Sequence, residues 1–238
     1  MGLFRRRSPE SSAAPVASLA PFSELIASDG GDGLQFSLLD RATGAMSPLP
    51  PIEVLLRSTE DLDAIIATLR LAGQTAADLP IIEQVAPGVA TTLVLDEGDR
   101  FSTLTESALA RMRLTPPLAR SGAWARLRQA CSGLRIDGSD GRYRLTFPAN
   151  PDMAASFALV TDTWLNKDAL RGTPVMAVGN RTALHVCGSA DEESISALRD
   201  IAEAAYRQSV SEPAEHGQPL TPRLLTTVGG ALVDFDSV

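Results

Sequence analysis

His185 and Cys187 stand two residues apart in ALHVC, a β-prone segment. Side chains at i and i+2 of a strand share a face, so the spacing sets an imidazole beside a thiol. Such a pair suits two chemistries, half of a zinc site or a Cys–His nucleophile. Zinc takes about four ligands, at least three of them from protein. The remaining histidine and cysteine are His216 and Cys131, and no C-x-x-C or H-x-x-x-H spacing draws them in. The preferred reading is that His185 and Cys187 are strand residues packed in a core, with no metal and no cofactor.

A second cluster is Asp162, Trp164, Lys167 and Asp168 in TDTWLNKDAL. Two carboxylates can share acid–base work when their environments split their pKa values. Here Asp162 also reads as the N-cap of a helix beginning near Thr163, and Trp164 as a core anchor. Asp96, Glu97 and Asp99 form a further acidic group, with Asp234 and Asp236 far along the chain. The first three lack the alternating ligand spacing of a calcium loop, and a hairpin turn accounts for them. SDGGDG, residues 28–33, lacks the Lys-Ser/Thr of a phosphate loop and precedes a strand. There is no G-x-S-x-G elbow.

The elements that must position these residues follow from periodicity and turn signals. PFSELIA, with Phe22, Leu25 and Ile26 on one face, predicts a helix. GLQFSLLD and MSPL predict a hairpin over residues 33–49, ended by prolines. A helix capped by Ser58 or Thr59 carries Leu62, Ile65, Ile66 and Leu69 and stops at Gly73. QTAADLPIIEQVAPG reads as a linker. VATTLVLDE is a strand. Thr103 and Glu106 stand in capping-box spacing and open a helix through Ala108, Leu109 and Met112, and a second helix, with Trp124, Leu127 and Cys131 on one side, ends at Gly133. Hairpins are predicted around Gly-Ser-Asp-Gly, around residues 179–182 and around Gly229-Gly230. SFALV reads as a short buried strand with a helix after it. Ser189 and Glu192 open a helix that carries Ile195, Leu198, Ile201, Ala202 and Ala205 inward. The expected fold is α+β, a mainly antiparallel sheet built from hairpins with helices on one face. The expected division is a disordered arm over residues 1–19, an αββα subdomain over 20–78 and a main α+β domain over 79–238.

Composition narrows the function classes. The 238 residues are 44% hydrophobic and 21% charged, near globular averages, which excludes disorder throughout. The net charge of -8 repels phosphate backbones and anionic lipid, so neither nucleic acid nor a membrane surface is the expected partner. No apolar run approaches the roughly 20 residues that cross a bilayer, and the segment after Arg5–Arg7 lacks an apolar core for a secretion signal. Two cysteines make no disulfide framework. A reducing, cytoplasmic setting is expected.

The segments TTLVLDEGDRFSTLTESAL, SFALVTDTWLNKDAL, PVMAVGNRTALHVCGSADEESISALRDIAEAAY and PLTPRLLTTVGGALVDFD follow a start of the type MGLF plus basic residues. Their order resembles the YtpQ-like family of bacterial cytosolic proteins, across roughly residues 84–236. The resemblance implies a cytosolic bacterial protein and supplies no reaction. The expected function is a non-catalytic protein-interaction or regulatory module. The alternative is a hydrolase with an unrecognised acidic or Cys–His site.

Overall fold

Turn chemistry places most of the strands. The computed structural model describes residues 23–30, 33–49, 51–97 and 100–238, so the expected arm over residues 1–19 lies outside the described residues, as does Phe22. Strands β1 (Ser23–Gly30) and β2 (Gly33–Asp40) pair antiparallel to the register Gly30↔Gly33, and β3 (Met46–Pro48) pairs with β2. Over its described residues, 23–27, the helix expected for PFSELIA is thus a strand. An eight-residue segment is too short to hold a helix alone, and the Gly-rich connection delivers it to β2 as a hairpin partner.

Strand β4 (Ile52–Ser58) leads into helix α1 (Thr59–Leu71), whose buried residue is Leu62. A short 3-10 turn and β5 (Ile82–Ala86) follow, and the Pro87-Gly88 turn returns the chain into β6 (Val89–Asp96). The expected linker is therefore partly a strand. β6 lies between β4 and β5, and β7 (Phe101–Thr103) pairs with its end. Since β4 pairs with β6 from Ile52↔Leu95 to Ser58↔Val89, the sheet crosses the boundary expected between residues 78 and 79.

Helix α2 (Glu106–Arg111) is capped by Thr105, whose Oγ1 accepts from the Ala108 amide at 3.1 Å. Thr103, the expected cap, is held in β7 opposite Val94. Helix α3 (Pro116–Ala130) buries Ala119, Ala123 and Leu127. Strands β8 (Arg135–Ser139) and β9 (Arg142–Thr146) form the expected hairpin, with φ positive at both Asp140 and Gly141 as a primed turn requires.

The segment expected as a buried strand, SFALV, lies in a 3-10 helix over Pro151–Val160. A short apolar run is ambiguous between buried strand and buried helix, and here Met153 through Ala158 are buried without a break. The 3-10 segment lies along β4, and Ser156 Oγ accepts from the Leu56 amide at 3.0 Å. Helix α4 (Thr161–Trp164) is a single turn.

Strands β10 (Pro174–Ala177) and β11 (Leu184–Gly188) form the next hairpin, then come α5 (Glu192–Ser211), α6 (Pro213–His216), β12 (Leu224–Val228) and β13 (Ala231–Asp234). The second large sheet runs β13-β12-β10-β11-β9-β8. The fold is α+β, and the strand pairings among the described residues are antiparallel. Met176, Leu184, Val186 and Leu225 of this sheet, and Val178 just beyond β10, join β4, β6, α3 and the 3-10 segment in the main core. Val175, Ala177, Cys187 and Leu224 form a smaller core with Leu198 and Ala202 of α5. Gly179 permits this close approach, because a Cβ there would stand 2.6 Å from the Ala202 carbonyl oxygen.

The cap of α5 is Asp191 instead of Ser189. Its carboxylate accepts from the Ser194 amide at 3.0 Å and from Ser194 Oγ at 2.7 Å. Ser189 Oγ is engaged by the Thr173 amide across the hairpin. Ile201, expected inward, is 39% exposed. The bond from the Ser194 amide is the main cause that lowers the Asp191 pKa. A lowered carboxyl contributes stability that is complete above the ordinary carboxylate range and is lost as pH falls through its native value. Asp191→Ala should therefore lower the melting temperature at pH 7 and lose its effect in strong acid. Equal losses at both pH values would show that the cap carries no charge-dependent contribution.

Candidate functional site

His185 and Cys187 do share a face of β11, the face beneath α5. His185 is half-buried and Cys187 is fully buried. Burial, then the nearby Arg144 guanidinium, pushes the imidazole pKa down to about 4. Burial, then the Asp191 carboxylate, pushes the Cys187 thiol up to about 11. A Cys–His nucleophile needs the reverse, a thiolate beside an imidazolium. At pH 7 this thiol is held in its protonated form. Iodoacetamide at pH 8 should accordingly label the half-buried Cys131 before Cys187 in the native protein. Faster labelling of Cys187, read by mass spectrometry, would mean that its environment is open and polar.

The other expected site residues are structural in their contacts. Asp162 does not cap α4, since the N-cap position is Val160. Its carboxylate instead takes Arg128 Nη1 at 3.0 and 3.2 Å, an exposed ion pair. Trp164 is half-buried, and its Nε1 donates to the Phe157 carbonyl at 2.9 Å. Asp168 lines a separate polar cavity of about 330 Å³ with Asp140, Arg171 and Asp191. Cys131 packs on the main core and Cys187 on the smaller one, so the two thiols are not brought together. His216 sits with Glu212 and Glu215 on the exposed turn α6, their ligand atoms within 4.8 Å of one another, and its Nε2 lies 3.4 Å from Glu212.

Three concave regions remain, the third of about 360 Å³ between the start of α1 and the end of α5. One is a groove along α5. Its two stretches, about 210 and 340 Å³, share Arg144, His185 and Ile201. The floor is the part of β9 and β8 that α5 leaves uncovered. Arg142 and Arg144 project there, because residues two apart on β9 share a face and Arg144 stands opposite His185. Neither guanidinium has a carboxylate within ion-pair distance among the described residues. Asp137, opposite Arg144, is bound by Arg135.

The second region is the roomiest cavity described, about 650 Å³, beside the last turns of α3. No family model, no curated protein and no solved structure matches the chain. The chemistry of this cavity therefore rests on its residues. Glu53 projects from β4, and its side chain is only 7% exposed. Glu53 Oε1 accepts from Arg126 Nε at 2.9 Å, while Oε2 is buried without a hydrogen-bond partner. Asp96 also lines the cavity, two residues beyond Val94, the Glu53 partner on β6. Burial raises the Glu53 pKa, the Asp96 charge adds to this, and Arg126 opposes both. Phe147 and Met153 supply an apolar wall, and Asn150 a polar one.

Glu53 and Arg126 were not among the residues singled out from sequence. A signal existed: Glu53 is the lone charge inside the apolar run PIEVLL, and a buried carboxylate demands a partner. Arg126→Ala would leave that carboxylate unpaired. The loss should be about 2 kcal/mol at pH 7, less than the ~3–5 of a fully buried pair, because the arginine is partly exposed. A carboxyl with a raised native pKa burdens the fold only as pH rises through that pKa, so the loss should shrink at pH 4. Denaturant midpoints at the two pH values check this. An unchanged loss would remove the Glu53 charge as its cause.

Proposed function

We propose that this protein is a non-catalytic interaction module that receives an extended acidic segment of a partner protein in the groove along α5. The supporting observation is the pair Arg142 and Arg144 on the groove floor, without ion-pair partners among the described residues, in a chain whose net charge is -8. Carboxylates of the partner would meet the guanidiniums, and an apolar side chain would meet Ile201. Charge complementarity of this kind supplies specificity and association rate. The reading includes membership of the YtpQ-like family and a bacterial cytoplasmic setting, supported by the order of segments over residues 84–236. No described helix is long and apolar enough to cross a membrane.

A fluorescein-labelled peptide of alternating Glu and Leu tests the proposal by anisotropy. Binding should weaken with salt and fall about tenfold or more in the Arg142→Ala, Arg144→Ala double variant. Equal binding of a Lys–Leu peptide, or by the double variant, would sink it.

A hydrolase is the second reading. One observation favours it, the buried Glu53 carboxyl with a raised pKa beside Asp96 in a cavity. Hydrolysis of p-nitrophenyl acetate and p-nitrophenyl phosphate, abolished in Glu53→Gln, would support it. Rates equal to buffer alone would count against it.

A further inference from the structure

The six-stranded sheet ends at β8, and among the described residues β8 pairs only with β9. All five of its residues are exposed. The free N–H and C=O groups of such an edge invite another strand, and sheets guard against this with proline, lysine, a bulge or other charges. β8 has no proline and no lysine, and its register with β9 runs from Arg135↔Thr146 to Ser139↔Arg142 without a shift. Its charges are Arg135 and Asp137, of opposite sign, which repel a strand of like pattern and attract one of complementary pattern. The two-residue turn Asp140-Gly141 makes Ser139↔Arg142 a hydrogen-bonded pair, and such pairs alternate along an antiparallel ladder. Asp137 and Arg135 therefore direct their backbone groups to β9. Ile136, between them, directs its N–H and C=O to the open edge. Gly138 has a φ of 133°, outside the strand region, so the regular part of the edge centres on Ile136.

We infer that this chain pairs with a second copy of itself, β8 against β8, antiparallel about a two-fold axis at Ile136. The strand reads basic, apolar, acidic over Arg135, Ile136 and Asp137. Turned about the axis, the copy presents acidic, apolar, basic. Each Arg135 then stands opposite the partner's Asp137, and opposite charges across an antiparallel pair are stabilising. A parallel pairing in register would set arginine against arginine and aspartate against aspartate. Ile136 meets its own copy at the axis. It is 46% exposed, on the face it shares with Leu145, while Arg135 and Asp137 lie on the other face. Within one chain Arg135 Nε lies 3.2 Å from the Asp137 carboxylate, an exposed ion pair that contributes little. Exchanging it for two pairs across the axis therefore costs little. The charge of -8 on each copy opposes approach, and salt screens it beyond about 8 Å at physiological strength. A contact of a few residues stands at the small end of interface sizes, so the dissociation constant should be on the order of 100 µM. The contact uses neither Arg142 nor Arg144, so it stands whether or not the groove takes a peptide.

Analytical ultracentrifugation of the full chain tests this, in about 0.15 M salt and over about 10–1,000 µM protein. The weight-average mass should rise with concentration from that of one chain toward that of two. Ile136→Lys sets two ammonium groups against each other at the axis and should weaken the dimer about tenfold or more. Arg135→Asp and Asp137→Arg each oppose like charges twice, and each should weaken self-association about tenfold. Both side chains are more than half exposed, so neither change disturbs a packed core. Mixed in equal amounts, the two variants are complementary again, at the same total charge as two native chains, and should associate as the native chain does. A mass that stays at one chain up to about 1,000 µM would overturn the inference. So would a dimer that Ile136→Lys leaves unchanged, or a mixture that associates no more tightly than either variant alone.

Discussion

Phe157→Ala should be the most destabilising single truncation described here, at about 3–5 kcal/mol. Phe157 is fully buried in the main core, its ring packs edge-on against Phe147, and its carbonyl receives the Trp164 indole. Its neighbours along the 3-10 segment are Ala154, Ala155, Ser156 and Ala158, residues too small to move into the space. The cavity would therefore stay open, and the cost of an open cavity adds to the lost transfer energy. Phe147 would lose its edge contact, so the wall of the α3 cavity should loosen with it. The measurement is the shift of the urea midpoint at constant slope. A loss below about 1 kcal/mol would mean that the core collapses freely around the deletion.

Leu198→Ala comes next, at about 2–4 kcal/mol. Leu198 is buried in the smaller core against Val175, Ala177, Cys187 and Leu224. It also lines the groove along α5, so water can enter part of the space it vacates. That places it below Phe157. The same opening gives a second readout, since Cys187 should become reactive to iodoacetamide in this variant. Glu203→Ala is the control. Glu203 is exposed, it pairs with Arg207 at 3.6 Å, and surface pairs contribute little. If Glu203→Ala were the more damaging, the inward face of α5 would be misassigned.

What the sequence revealed depended on how local the cause was. The hairpins β8–β9, β10–β11 and β12–β13 were legible because turn residues and strand alternation lie within a dozen positions of each other. Helix α5 was legible from its period, yet its cap was not. Ser189 and Asp191 are both good capping types, and the choice between them is made by the Thr173 amide across the hairpin. β4 and β5 went unread because prolines flank them, and because β4, buried on both sides, shows no alternation. The site followed the same rule. His185 and Cys187 were visible as a spacing, but the burial beneath α5 that favours the neutral form of each was not. Glu53 is marked locally as a lone charge in an apolar run, but its partner Arg126 lies 73 residues away, where no local pattern names it.

The bond from the Leu56 amide to Ser156 bears on the way this protein fails. β4 is the outer strand of its sheet, and IEVLLRS is long, apolar and β-prone. A bare edge of that kind is a template for other chains. The 3-10 segment lies along it as a lid, yet 3-10 geometry is a poor hydrogen-bonder and is rarely sustained at this length. When heat or acid loosens residues 151–160, β4 is uncovered while much of the molecule is still folded. Aggregation should then begin from a near-native species, strand to strand, so that clumping precedes the loss of bulk structure and the heated protein does not recover on cooling.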